Sequence, residues 1–196
     1  MNRGFYTIMA AQFFSSLADN ALLFVAISLL VAMDAPASLT PLLKLSFVLF
    51  YVLLAAFVGA FADSLPKGRV MFIANIIKVV GCALMFFTVH PLLAYAVVGF
   101  GAAVYSPAKY GILTELLPPE KLVPANGWIE GLTVMSIILG TVLGGTLVSE
   151  RGTAFLLSFD AFAGLGITTG AEAGMAVVVG IYVLAAVFNL RIPDTG

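Results

Sequence analysis

LSFVLFYVLLAAFVGAFADSLPKGRVMFIANIIKVVGCALMF occupies residues 45–86. Its first 18 residues, 45–62, carry no charge. The stretch ADSLPKGRV (62–70) then gathers Asp63, Lys67 and Arg69, and the apolar run 70–89 that follows holds one ionised side chain, Lys78. A bilayer core of about 30 Å takes about 20 residues of helix to cross. The segment therefore reads as two spanning helices joined by a short charged loop.

The same reading extends in both directions. Uncharged runs of 18, 19 and 18 residues fill 91–108, 131–149 and 173–190, and 5–33 is apolar except for Asp19. The expectation is six spans, at about 5–33, 45–62, 70–89, 91–111, 127–149 and 173–190, forming one bundle over 1–196. The first run resumes after Asp19 and continues to Ala32, which is too long for the core of a cleaved signal peptide. Residues 153–168 are apolar but short and include Asp160, so they read as an interfacial or re-entrant piece.

Composition excludes the main alternatives. Of 196 residues, 62% are apolar and 10% charged, and mean hydropathy is +1.12. Soluble domains carry about 25% charge, and a chain of this size leaves about 30% of its surface wet. Net charge is −1 with no basic run, which argues against nucleic-acid binding. One cysteine, Cys82, and one histidine, His90, are too few for a structural metal site. Cys82 reads as a packing residue, and neither cofactor nor metal is expected.

Lys and Arg in the short loops set an orientation. With the N-terminus inside, the cytoplasmic side holds Arg3, Lys67, Arg69, Lys121 and Arg191, against Lys44 and Arg151 outside. Both termini are expected in the cytoplasm. The longer outer stretch, 150–172, is net acidic, with Glu150, Arg151, Asp160 and Glu172.

Charges inside the spans are the candidate functional residues, because an ionised group at the bilayer centre costs at least about 2.5–3.5 kcal/mol. Asp19, in LADNALLF (17–24), lies about 21 Å along a helix from Phe5. Lys78 lies about 13 Å beyond Arg69. Pro107 removes a backbone donor within YSPAKYGILTEL (105–116), where Tyr105, Ser106, Lys109 and Tyr110 cluster. Glu130, in ANGWIEG (125–131), reads as opening the fifth helix, with Asn126 four residues earlier and Trp128 as an interface anchor. Asp19, Lys78, Lys109 and Glu130 sum to zero, a set that can exchange partners as a cavity opens or pair inertly. Lys109 can also snorkel to the interface.

The loop ADSLPKGRV resembles the signature loop of the major facilitator superfamily, with Gly59, Asp63, Gly68 and Arg69 at its marked positions. It departs in spacing, since Gly68 follows Asp63 by five residues where the usual signature has three. The resemblance implies one all-α, six-helix half of such a transporter: two inverted three-helix repeats, 5–89 and 91–190, with the first and fourth helices lining the cavity. Gly59 would let neighbouring helices approach closely.

LADNALLF, ADSLPKGRV with Asn75 and Lys78, YSPAKYGIL and ANGWIEG together resemble the bacterial lysophospholipid transporter family. The likeness is good over 5–149, weak over 150–172 and returns at the last helix and its 189–193 exit. It implies a flippase that moves lysophospholipid, chiefly lysophosphatidylethanolamine, from the outer to the inner leaflet of the bacterial inner membrane for reacylation. Asp19, Asn20, Lys78, Lys109, Tyr110 and Glu130 would bind substrate. Gly59, Asp63, Gly68, Arg69, Glu115 and Asn126 would be structural or gating. Implied partners are membrane lipids and an acyltransferase or acyl-carrier-protein synthetase, to which the module is sometimes fused. Family members run to about twice this length, so this chain, ending RIPDTG (191–196), is expected to act with a second six-helix half, as a self-dimer, or to be a fragment. The competing readings are a proton-coupled exporter of a small amphiphile and a non-transporting membrane scaffold. An enzyme is not expected, because the sequence shows no nucleophile–base pair, phosphate loop or metal cluster.

Overall fold

A computed structural model describes residues 3–193; the outermost residues of the expected 1–196 bundle, 1–2 and 194–196, lie outside the described residues. The described chain is helical, without strands: α1 (Arg3–Ala32), α2 (Leu39–Ser64), α3 (Lys67–Phe86), α4 (Pro91–Leu116), α5 (Pro119–Val148), α6 (Glu150–Leu157), α7 (Asp160–Gly164) and α8 (Gly170–Leu190). Helices α1, α3, α4, α5 and α8 are long and apolar enough to cross a membrane. Helix α2 makes a sixth span if its two arms, Leu39–Leu54 and Phe57–Ser64, bent by 74°, count as one.

Local chemistry sets the helix ends. His90 Nδ1 accepts from the Leu92 amide at 3.3 Å, with Pro91 in the first turn of α4. Thr169 and Glu172 form a reciprocal capping box on α8. Helix α5 starts at Pro119, eight residues before the expected 127, and Glu120 in its first turn complements the helix dipole. Glu130 therefore does not open the fifth helix; it lies three turns inside it. Residues 150–169 hold two short helices, α6 and α7, with Gly166 in the left-handed region at φ 71°, before α8 begins at Gly170.

The packing carries the inverted repeat. Helix α1 packs along α5 as α4 packs along α2, and α1 meets α8 as α4 meets α3. The α1–α4 and α3–α8 contacts are their own mates. Exchanging α1, α2 and α3 with α4, α5 and α8 thus maps the bundle onto itself, as nested three-helix repeats require.

Small residues hold these seams together. A Cβ on Gly99 of α4 would fall 2.1 Å from the Phe47 carbonyl oxygen of α2. One on Gly140 of α5 would fall 2.6 Å from the Leu17 carbonyl oxygen of α1. Both are backbone collisions that rotamer changes cannot relieve. Gly99→Val is expected to destabilise the bundle by about 1–3 kcal/mol or more, read as a lower melting temperature in detergent. Gly59, by contrast, has nothing within 4 Å of its ideal Cβ. The close approach expected there is not made within this bundle.

The loop between α2 and α3 is tied from both sides. Lys67 Nζ donates to Asp63 at 2.6 Å and to the Ala62 carbonyl at 2.9 Å. A Cβ on Gly68 would lie 3.2 Å from Ile192 Cβ, so this turn sits tightly on the end of α8. Arg69 lines the adjoining groove with Asn189, Leu190 and Ile192.

The middle of α1 buries small residues, Ala18, Ala21, Val25 and Ala26, while Val52, Phe57, Val123 and Ile138 point outward on α2 and α5. That is the distribution of a bundle whose solvent is hydrocarbon.

Candidate functional site

A polar cavity of about 250 Å³ opens between α1, α2, α3, α4 and α5. Asp19 and Asn20 line it from α1, Lys78 from α3, and Tyr105, Ser106 and Lys109 from α4. On α4, Tyr105 and Ser106 share a face with Lys109 because they precede it by four and three residues.

The centre of the site is an ion pair. Lys78 Nζ donates to Asp19 Oδ2 at 2.7 Å and to Ser15 Oγ at 2.8 Å. Ser15 Oγ donates in turn to Asn75 Oδ1 at 2.7 Å. The other carboxylate oxygen, Asp19 Oδ1, accepts from the Tyr182 hydroxyl of α8 at 2.7 Å, and Tyr95 donates to the Asp19 main-chain oxygen at 3.1 Å. The ammonium also lies 5.2 Å from the Tyr105 ring centroid and 5.7 Å from that of Tyr182. The Lys78 side chain is 2% exposed and that of Asp19 14%, so the carboxylate is the cavity-facing partner. The Asn75 amide nitrogen and Tyr105 hydroxyl are buried with no partner among the described residues.

Lys109 stands apart from this pair. It is 7% exposed and lines the cavity, yet it forms no ion pair among the described residues. Its ammonium lies 4.4 Å from the centroid of the Tyr110 ring. Tyr110 itself points outward and donates to Glu130 at 2.5 Å. Neither Tyr110 nor Glu130 lines the cavity, so the six expected substrate-binding residues divide into a cavity group of Asp19, Asn20, Lys78 and Lys109, and an edge pair. Asn20 spends its amide on the Ser16 carbonyl at 2.8 Å. Glu115 and Asn126 lie exposed, at the end of α4 and the start of α5. Tyr110→Phe removes one exposed hydrogen bond, and its effect on any transport is expected to stay within about fivefold in an uptake assay.

Other residues of the site, Lys44 apart, carry no charge and are harder to single out from sequence. Gln12 donates to Thr133 at 3.1 Å, joining α1 to α5 across the wall. Ser15 sits four residues before Asp19, a same-face spacing that could have marked it. Tyr182 offers no such pattern. Lys44 also lines the cavity from within α2, so it is not the outer loop charge expected from its position.

Spanning helices in inverted repeats, with an ion pair buried at mid-depth and a polar cavity against it, define one bundle of a membrane transporter. A sequence model of the Major Facilitator Superfamily matches residues 8–194. The chain belongs to that superfamily. It is 42% identical over 193 residues to the lysophospholipid transporter LplT of Yersinia enterocolitica, covering 98% of this chain and 43% of that protein. It is 45% identical over 182 residues to the LplT of Enterobacter sp. strain 638, covering 93% of this chain and 43% of the relative. The LplT of Citrobacter koseri is 48% identical over 157 residues, covering 80% and 39%. The chain thus spans less than half the length of these relatives.

Proposed function

We propose that this chain is the N-terminal bundle of a lysophospholipid flippase. The observation that carries the reading is Lys109: its nearly buried ammonium lies beside a polar cavity, forms no ion pair among the described residues and has only Glu130, farther off, as a favourable charge. A buried charge without a partner is costly, and an anionic ligand group offsets that cost. The same cavity presents the Asp19 carboxylate. A lysophospholipid headgroup supplies the complementary pair, phosphate for Lys109 and, in lysophosphatidylethanolamine, an ammonium for Asp19. The relatives' names support the substrate class.

In this reading the lipid moves from the outer to the inner leaflet of the bacterial inner membrane, where an acyltransferase reacylates it, and both termini face the cytoplasm. Asp63, Gly68 and Arg69 tie the cytoplasmic loop that must move with the bundle, with Glu115 in the last turn of α4 and Asn126 in the first turns of α5 at the same end. A second six-helix half, or a second copy, closes the cavity, because alternating access needs one bundle rocking on another.

The test is lysophosphatidylethanolamine uptake in cells lacking their own flippase, with this chain alone and together with the C-terminal half of the Yersinia enterocolitica relative. Saturable uptake with both halves is expected. No uptake from either arrangement, with both proteins inserted, would overturn the reading. Uptake that stops when the proton gradient is collapsed would favour the proton-coupled exporter.

A further inference from the structure

The α2 wall of the cavity carries a cation that the headgroup reading does not use. Lys44, Phe47 and Tyr51 recur at a helical spacing and all three face the cavity. Lys44 lies about 8 Å along α2 from its start. Lys109 lies about 27 Å along α4, which starts at the same end of the bundle. The backbone positions of the two lysines are therefore separated by about 19 Å of depth, with those of Asp19 and Lys78 at intermediate levels.

Lys44 is exposed and lines the cavity, with its ammonium 5.7 Å from the ring centroid of Phe47, the next residue on the same face of α2. The Phe47 ring lies 5.0 Å from that of Tyr95, whose hydroxyl binds the Asp19 main chain. A continuous aromatic wall thus runs from Lys44 to the central ion pair. The charge balance agrees: Lys44, Lys78 and Lys109 line the cavity against one carboxylate, Asp19, which is taken by Lys78. Lys44, exposed where Lys109 is nearly buried, likewise forms no ion pair among the described residues.

We propose that Lys44 is a second phosphate-binding station, which receives the phosphate of a single-chain lipid at the α2-start end of the cavity and passes it toward Lys109. Phosphate binding at Lys44 stands on the geometry alone; the hand-over rests on the flippase reading. The phosphate is bound through hydrogen bonds and charge, with no covalent step.

Amine footprinting tests the station without transport. The chain, in maltoside micelles free of phosphate, is acylated at lysine and the rate at each residue is read by mass spectrometry, with exposed Lys121 as internal reference. The probes are 1-oleoylglycerol 3-phosphate and 1-oleoylglycerol, which differ only by the phosphate. The phosphate lipid at saturation is expected to slow Lys44 acylation about tenfold relative to Lys121, as a charge-assisted hydrogen bond would, and 1-oleoylglycerol is expected to leave it unchanged. Equal slowing by both lipids, or by neither, would overturn the proposal. Equal slowing by inorganic phosphate at the same concentration would overturn it too, since Lys44 would then be a free-anion site. In the uptake assay, Lys44→Gln is expected to raise the half-saturating lysolipid concentration about tenfold, with Lys44→Arg restoring it; full uptake by Lys44→Gln would remove the hand-over. A protected Lys44 in a chain that supports no uptake would leave the station standing and remove the flippase reading.

Discussion

Asp19→Ala is expected to destabilise the bundle by about 3–5 kcal/mol and to abolish lysolipid uptake. The loss follows from what it leaves behind. The Lys78 ammonium, 2% exposed, would keep only Ser15 Oγ and two ring faces for contacts, and the Tyr182 hydroxyl would lose its acceptor. The reverse change is milder. Lys78→Met removes the buried cation and leaves Asp19 more exposed, still accepting from Tyr182 and open to the cavity. The double variant Asp19→Ala/Lys78→Met should therefore melt above Asp19→Ala, because removing both charges is cheaper than stranding one. Melting in detergent and uptake, measured on all three, separate the structural part of the pair from its transport part. A double variant no more stable than Asp19→Ala alone would show that the ion pair is not what the aspartate contributes.

The spans were legible because the bilayer imposes a length on uncharged runs, and no tertiary information is needed to count it. That criterion sees hydrocarbon, not helices. It fixed α2 near its apolar limits but began α5 at 127, whereas Pro119 and Glu120 start a helix whose first turns are polar. The same limitation put Lys44 in a loop. A charge at the edge of an apolar run looks like a boundary, yet helix α2 starts at Leu39 and carries Lys44 into the cavity wall. The charges themselves were visible one by one, but their pairing was not. Asp19 and Lys78 are 59 positions apart, and the contact exists only because α3 and α8 fold back on α1. Tyr182 is a tyrosine among apolar residues until that packing brings its hydroxyl to Asp19. Gly59 shows the converse: a glycine at the right offset from a charged loop reads as a close contact, but the contacts form at Gly99 and Gly140, where a facing backbone is present.

Lys109→Gln is expected to have the opposite balance: uptake falls by about 10- to 150-fold, the equivalent of one charge-assisted hydrogen bond, while stability holds or rises. Lys109 has no ion-pair partner among the described residues, and its ammonium sits 4.4 Å from the Tyr110 ring centroid. Neutralising it removes a desolvated charge that the fold offsets only through the Glu130 carboxylate, beyond ion-pair distance. Glutamine keeps enough length to line the same wall. Lys109→Arg should retain much of the uptake, since a guanidinium also binds phosphate. If Lys109→Gln instead melts well below the parent, the lysine is a structural group and the phosphate reading loses its main support. The comparison with Asp19 is what makes the test sharp. Both residues are charges at the same cavity, but Asp19 is ion-paired to a buried partner whereas Lys109 has no ion pair among the described residues. A structural role for both predicts that both substitutions destabilise. A substrate role for Lys109 predicts that only Asp19→Ala does, and that the two losses of uptake part company on a melting curve.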